Sequence, residues 1–169
     1  MDYVVFDIET TGLNPRTDRI IEIGALRIKN GEVVDSFEQL INPGITIPDN
    51  VIAIHGITNE MVKDALFPGI ALQEFISFCE GVDFLIGHNA VRFDYPFIEN
   101  ECTRYMVKYP KFRVKDTIFS ARKRLKGLRS YSLKALCRIF QIENKQAHRA
   151  LSDVYATYEV YEQLLAKDK

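Results

Sequence analysis

Two acids inside an apolar strand constrain this sequence more than any other feature. Residues 3–9, Tyr-Val-Val-Phe-Asp-Ile-Glu, read as a buried β-strand stopped by Thr10-Thr11-Gly12. Asp7 and Glu9 stand two apart, so a strand turns both carboxylates to one face of its sheet. Like charges beside Val4, Val5, Phe6 and Ile8 are costly to bury unless something positive binds them. At ~5 Å separation and an effective dielectric of ~20, such a pair repels by ~3 kcal/mol. A central strand of this kind is expected to hold a cation at its end; the alternative is an exposed strand end with two surface acids.

The rest of the chain supplies the sheet and its cover. Arg19–Lys29 reads as a second strand, and Asn30-Gly31 is a hairpin signal before a third over Val33–Ile41. Asn42-Pro43-Gly44 and Ile47-Pro48-Asp49 mark a loop with little regular structure. Thr58 is a candidate N-cap for a short helix. Another helix begins near Pro68, with Ile70, Leu72, Phe75, Ile76 and Cys79 at helical spacing, and ends at Gly81. Phe84–Gly87 is a short strand. Pro96 fits the first turn of the next helix, which carries a stripe of Ile98, Cys102, Tyr105 and Tyr109. A last strand over Phe112–Thr117 precedes helices at about 117–126, 132–140 and 148–166. The 169 residues fit one domain, 1–169, with a mixed-sheet α/β architecture.

Two further clusters carry chemistry. His88-Asn89-Ala90-Val91-Arg92-Phe93-Asp94 spans the turn from the Phe84–Gly87 strand into a helix, where a lone Asp would read as a cap. His148 and Asp153 stand five apart near the start of the last helix. Five helical residues turn ~500°, so both side chains reach one site only if His148 lies on the approach and Asp153 inside the helix.

In this order, Asp-x-Glu-Thr-Thr-Gly, His-Asn-Ala…Phe-Asp and His-x4-Asp resemble the three motifs of the DEDDh, or DnaQ-like, exonuclease family. That group includes the proofreading subunit and domains of bacterial replicative DNA polymerases. The likeness runs nearly end to end and takes in Arg19–Ala25 and Ile54-His55-Gly56-Ile57-Thr58. It implies a ribonuclease-H-like, five-stranded mixed sheet flanked by helices, in the order 3-2-1-4-5. It also implies 3′→5′ exonucleolysis to nucleoside 5′-monophosphates, with two divalent ions, Mg²⁺ or Mn²⁺. Asp7, Glu9, Asp94 and Asp153 match the metal-binding acids, and His148 the general base. Thr10, Thr11, Gly12 and Leu13 would line the 3′-terminal nucleotide slot, with His55 and Asn89 as further substrate contacts. One departure stands out: Val91-Arg92 occupies a place where the family commonly has one residue, so Asp94 falls one position late. The extra residue is expected to bulge in the turn and leave Phe93-Asp94 in register with the helix.

The expected partner is a single-stranded or frayed 3′ end of DNA, in proofreading or repair beside a DNA polymerase. Alternatives are an exoribonuclease trimming RNA, and an inactive nucleic-acid-binding or polymerase-partner module. Three widely spaced cysteines, without CxxC, argue against a disulfide framework or zinc site and for a reducing, cytoplasmic location. No run approaches the ~18 apolar residues of a membrane span. The net charge of −1 hides a segregation: residues 2–101 hold 17 acids and 6 bases, residues 104–138 hold 1 acid and 12 bases. The basic stretch (Arg122, Lys123, Arg124, Lys126, Arg129, Lys134, Arg138) is a candidate track for a phosphate backbone, or a solvated helix face.

Overall fold

The computed structural model describes residues 1–168. Strands β1 (Asp2–Thr10), β2 (Ile20–Lys29) and β3 (Glu32–Leu40) form an antiparallel meander. Asn30 and Gly31 turn the β2–β3 hairpin with φ of 53° and 84°, the left-handed pair whose twist suits a two-residue hairpin. Helices α1 (Asp49–His55), α2 (Asn59–Val62) and α3 (Pro68–Phe78) then lead to β4 (Phe84–Gly87), which lies parallel to β1. Helix α4 (Asp94–Arg104) crosses to β5 (Val114–Asp116), parallel to β4. Helices α5 (Thr117–Arg124), α6 (Leu133–Phe140) and α7 (Ala150–Ala166) complete the chain. The sheet order β3-β2-β1-β4-β5 is the ribonuclease-H-like α/β arrangement. No helix among the described residues is long and apolar enough to cross a membrane.

Strand alternation assigns the two faces. Val4, Phe6 and Ile8 point to one side, onto Leu72 and Phe75 of α3 and Phe97 and Ile98 of α4. Tyr3 and Val5 point to the other, onto Val154 and Tyr161 of α7. Asp7 and Glu9 continue this second row, so the acids emerge where the first turn of α7 crosses the sheet. That turn packs directly on β2: a Cβ on Gly24 would fall 2.5 Å from the Leu151 amide nitrogen and 2.6 Å from the Ala150 carbonyl carbon.

Several local expectations are corrected. Helix α1, which no sequence signal announced, begins at Asp49, the last residue of the segment read as a loop, and ends at His55; Ile47 of that segment is buried. Apolar contacts of Ile21, Ile47, Ile57 and Val62 drive this ordering, and no periodicity announces them over so few residues. Ile70 is exposed, and the buried stripe of α3 runs through Ala71, Leu72, Phe75 and Ile76. Helix α4 stops at Arg104 because Met106 takes a left-handed φ of 54°; Tyr105 and Tyr109 reach the core from beyond its end. Strand β5 is shorter than expected, since only Val114–Asp116 has β4 to pair with.

The contact at Gly24 is a test of the architecture. Gly24→Ala forces α7 away from β2 and is expected to destabilise the protein by about 1–3 kcal/mol, measured by urea denaturation; an unchanged midpoint contradicts the close approach.

Candidate active site

The row from β1 meets α7 in a cluster of carboxylates. One oxygen each from Asp7, Glu9 and Asp153 lies within 4.8 Å of the others. Burial is the leading cause that pushes all three carboxyls above their ordinary range, and the charges of nearby acids add to it, Glu22 being the one that acts on Asp153. Glu9 is raised to about 9. Asp7 is also raised, by burial and then by the charges of Asp94 and Glu9. On Asp153, hydrogen bonds from Asn144 and the His148 amide oppose the rise. This all-oxygen, electron-rich set fits a hard divalent cation, and no cysteine is placed to compete.

Asp94 stands beside this set rather than within it. It opens α4, is 3% exposed, and its Oδ1 accepts the Ile8 amide at 3.1 Å. That bond fixes it next to Asp7 on β1. Burial raises its carboxyl to about 7, against the lowering effect of the Ile8 amide. Residues 90–93 form the turn ahead of it, with the Arg92 and Phe93 amides both donating to the Asn89 carbonyl at 3.2 and 3.0 Å. The additional residue of Val91-Arg92 is thus taken up before α4 begins. Asn89 has a left-handed φ of 62°, which Asn tolerates better than most residues. Its side chain is exposed, while its amide donates to Asp116 Oδ1 at 3.1 Å.

Asp116 is a residue that sequence reasoning passed over. Buried at the end of β5, it also accepts from the Val91 amide at 3.2 Å and caps α5 through Ile118. One carboxylate therefore ties the second motif to the next strand. His88 adds a tie of its own, its Nδ1 lying 2.8 Å from Thr117 Oγ1. An Asp before Thr at a strand end was the available signal, since Asp is a common N-cap.

The third motif is held from two sides. His148 is exposed and lies on the approach to α7, with a φ of 67°. Its amide donates to Asp153 Oδ2 at 3.0 Å, and Asn144 Nδ2 donates to Asp153 Oδ1 at 2.6 Å. On the other side, Arg149 reaches Glu22 on β2, with Nη2–Oε2 at 2.6 Å and Nε–Oε1 at 3.1 Å. Glu22 is fully buried and also accepts the Ala150 amide at 2.8 Å, so it caps α7 as well. These bonds bracket His148 and hold a backbone conformation that a non-glycine residue rarely adopts. Glu22 belonged to the Arg19–Ala25 likeness, but its partner stands 127 residues away.

The turn after β1 presents few free groups. Thr10 and Thr11 are buried; the Thr10 hydroxyl donates to the Gly12 carbonyl and Thr11 Oγ1 accepts the Arg19 amide. Asp18 fills the space beside Gly12 and accepts the Asn14 amide at 2.9 Å. Leu13 projects from this closed loop with 84% of its surface exposed. His55 is buried at the end of α1, its Nδ1 accepting the Ile57 amide at 3.0 Å. That bond leaves the proton on Nε2, which is buried without a hydrogen-bond partner among the described residues, and burial lowers the ring's pKa.

The chain is similar to several known proteins. The sequence profile of a family described as "Exonuclease" matches residues 4–161. The PolC-type DNA polymerase III of Caldanaerobacter subterraneus subsp. tengcongensis is 39% identical over 166 residues, 98% of this chain and 12% of that protein. That of Bacillus subtilis is 38% identical over 156 residues, 92% of this chain and 11% of that protein. The chain thus spans about a tenth of the length of these relatives. Exonuclease X in complex with 5′-overhanging duplex DNA superposes with a TM-score of 0.75 at 26% identity, covering 97% of this chain and 91% of that one. E. coli exonuclease I in complex with a dT13 oligonucleotide gives 0.83 at 24% identity, covering 98% of this chain and 41% of that one.

Two measurements probe the electrostatics. In chelator, the raised carboxyls bind protons in the folded state that the unfolded chain releases, so stability is expected to fall as pH rises from about 4 to about 9. Asp7→Asn should flatten this fall in denaturation midpoints across pH, and Mn²⁺ at pH 8 should raise the wild-type midpoint. A slope equal in both proteins refutes the cluster as its source. Glu22→Gln should cost about 3 kcal/mol, because Arg149 loses its partner at the base of α7; a calorimetric melt checks this.

Proposed function

Since the chain belongs to the exonuclease family, we propose that it is a metal-dependent 3′→5′ exonuclease that acts on DNA. The observation that carries this reading is the convergence of Asp7, Glu9 and Asp153 at the one place where β1 meets α7. Binding alone has no need of three carboxylates whose charges oppose one another. On this reading, residues 1–169 are one exonuclease domain that works in proofreading or repair. The likeness to PolC-type polymerases supports a polymerase setting inside the cell.

Each residue then has a task. Asp7, Glu9 and Asp153 would hold the cations, with Asp94 completing the set from beside Asp7. Two Mg²⁺ or Mn²⁺ ions, when bound, supply charge neutralisation at the phosphate and align the attacking and leaving oxygens. His148 takes the proton of the attacking water: an imidazole suits transfer near neutral pH, and its exposed place on the approach leaves the ring free to swing towards substrate. The Asp153 carboxylate orients it through the His148 amide. Leu13 is the apolar side chain of the turn that can reach a terminal base, whereas Thr10, Thr11 and Gly12 offer mainly backbone. His55, buried at the end of α1, and Asn89, whose side-chain amide is exposed, are the further substrate contacts of this reading.

The assay is direct. 5′-Labelled single-stranded DNA and RNA are incubated with Mg²⁺, Mn²⁺ or chelator. A ladder shortening one nucleotide at a time from the 3′ end is expected, faster on DNA, and abolished by chelator and by Asp7→Ala. Internal cuts, or no cleavage of either polymer, overturn the reading, and faster loss of RNA moves the substrate to RNA. His148→Ala should lower turnover about 100-fold or more with Mn²⁺ binding by calorimetry nearly unchanged; near-normal turnover removes it as the base.

A further inference from the structure

A cleft of about 340 Å³ opens beside Asp153, between α6 and the segment leading to α7. Its floor is apolar, formed by Leu133, Cys137 and Ile142, and His148 and Asp153 stand at the end that joins the carboxylate cluster. Lys134 and Arg138 line it as well, four residues apart and therefore on one face of α6. Both are exposed, and neither has an ion-pair partner among the described residues. Three other cations of residues 104–138 are engaged elsewhere, while Lys123, Lys126 and Arg129 are exposed and do not line the cleft. Arg124 pairs with Asp168, Arg122 lies over the Tyr131 ring, and Lys115 over the Phe84 ring. Lys134 and Arg138 are the two cations of the segment that line the cleft.

We infer that this cleft is the subsite for the nucleotide on the 5′ side of the scissile bond. Its base rests on the apolar floor and its phosphodiester on Lys134 and Arg138. The inference rests on the proposed exonuclease reading and extends it. The carboxylates have two exits. From Glu9 the chain runs into the Thr10–Leu13 turn, the side proposed for the 3′-terminal nucleotide; from Asp153 the surface runs into the cleft. A strand that leaves the reacting phosphate through this cleft meets Lys134 and Arg138. The volume sits at the small end of ligand pockets (about 300–1,000 Å³) and suits one unpaired nucleotide rather than a duplex.

The test uses Lys134→Gln with Arg138→Gln, both at exposed positions, and a labelled single-stranded DNA oligomer. The pair should raise KM about tenfold or more and reduce the slope of log affinity against log salt by about 0.7, the value for one phosphate on a single strand. A methylphosphonate in place of the penultimate phosphodiester should raise KM for the wild-type protein and add little in the double variant. Lys123→Gln, exposed on α5 and outside the cleft, is the charge control. An equal effect of Lys123→Gln, or additive effects of the variant and the methylphosphonate, overturns the subsite. Anisotropy titration of the same oligomer in Ca²⁺ reads the cleft without turnover. Binding that depends on Lys134 and Arg138, without cleavage in Mg²⁺ or Mn²⁺, sinks the exonuclease reading alone. Cleavage and binding indifferent to both cations sink the subsite alone.

Discussion

Everything in the site depends on how the N-terminus of α7 is pressed onto β1 and β2. Asp7, Glu9 and Asp153 repel one another, so bare electrostatics would push the helix off the sheet. Tyr3 and Val5 against Val154 and Tyr161 supply the apolar attraction that opposes this, with Tyr3 and Tyr161 meeting edge to face at 5.7 Å. The Glu22–Arg149 pair and the Ala150 amide fix the helix end, and Gly24 leaves it room to approach. The carboxylates converge because burial and pairing a few residues away overcome their repulsion.

The same arrangement explains the split of charge along the chain. Acids dominate the part that forms the meander and α4, where Asp7, Glu9 and Asp94 stand. Bases dominate residues 104–138, and the fold brings the last of these, on α6, round to a cleft that ends at Asp153. On the proposed reading, a site for a cation and a polyanion needs both signs of field side by side. Two segments remote in sequence supply them.

Legibility in the sequence followed the physical range of each determinant. β1 was readable because four apolar residues around two acids are a local pattern, and the β2–β3 hairpin because Asn-Gly favours the left-handed turn it adopts. Helix α1 was not, since seven residues carry too little periodicity and are ordered by contacts of Ile47 and Ile57. The clustering of Asp7, Glu9 and Asp153 was anticipated through the motifs. The roles of Glu22 and Asp116 were not, because each acts through partners on other elements.

The sequence by itself determined the strand that carries Asp7 and Glu9 on one face, because side chains alternate along any strand. It also determined that His148 must precede the last helix if it is to share a site with Asp153, because a helix turns by a fixed angle per residue. Only the tertiary structure decided that Asp94 is fastened to the Ile8 amide beside the other three acids. It alone buried Glu22 under Arg149, enclosed His55, and placed Lys134 and Arg138 in one cleft with Asp153. Those outcomes depend on which elements pack together, a property of the whole chain that no window of residues contains.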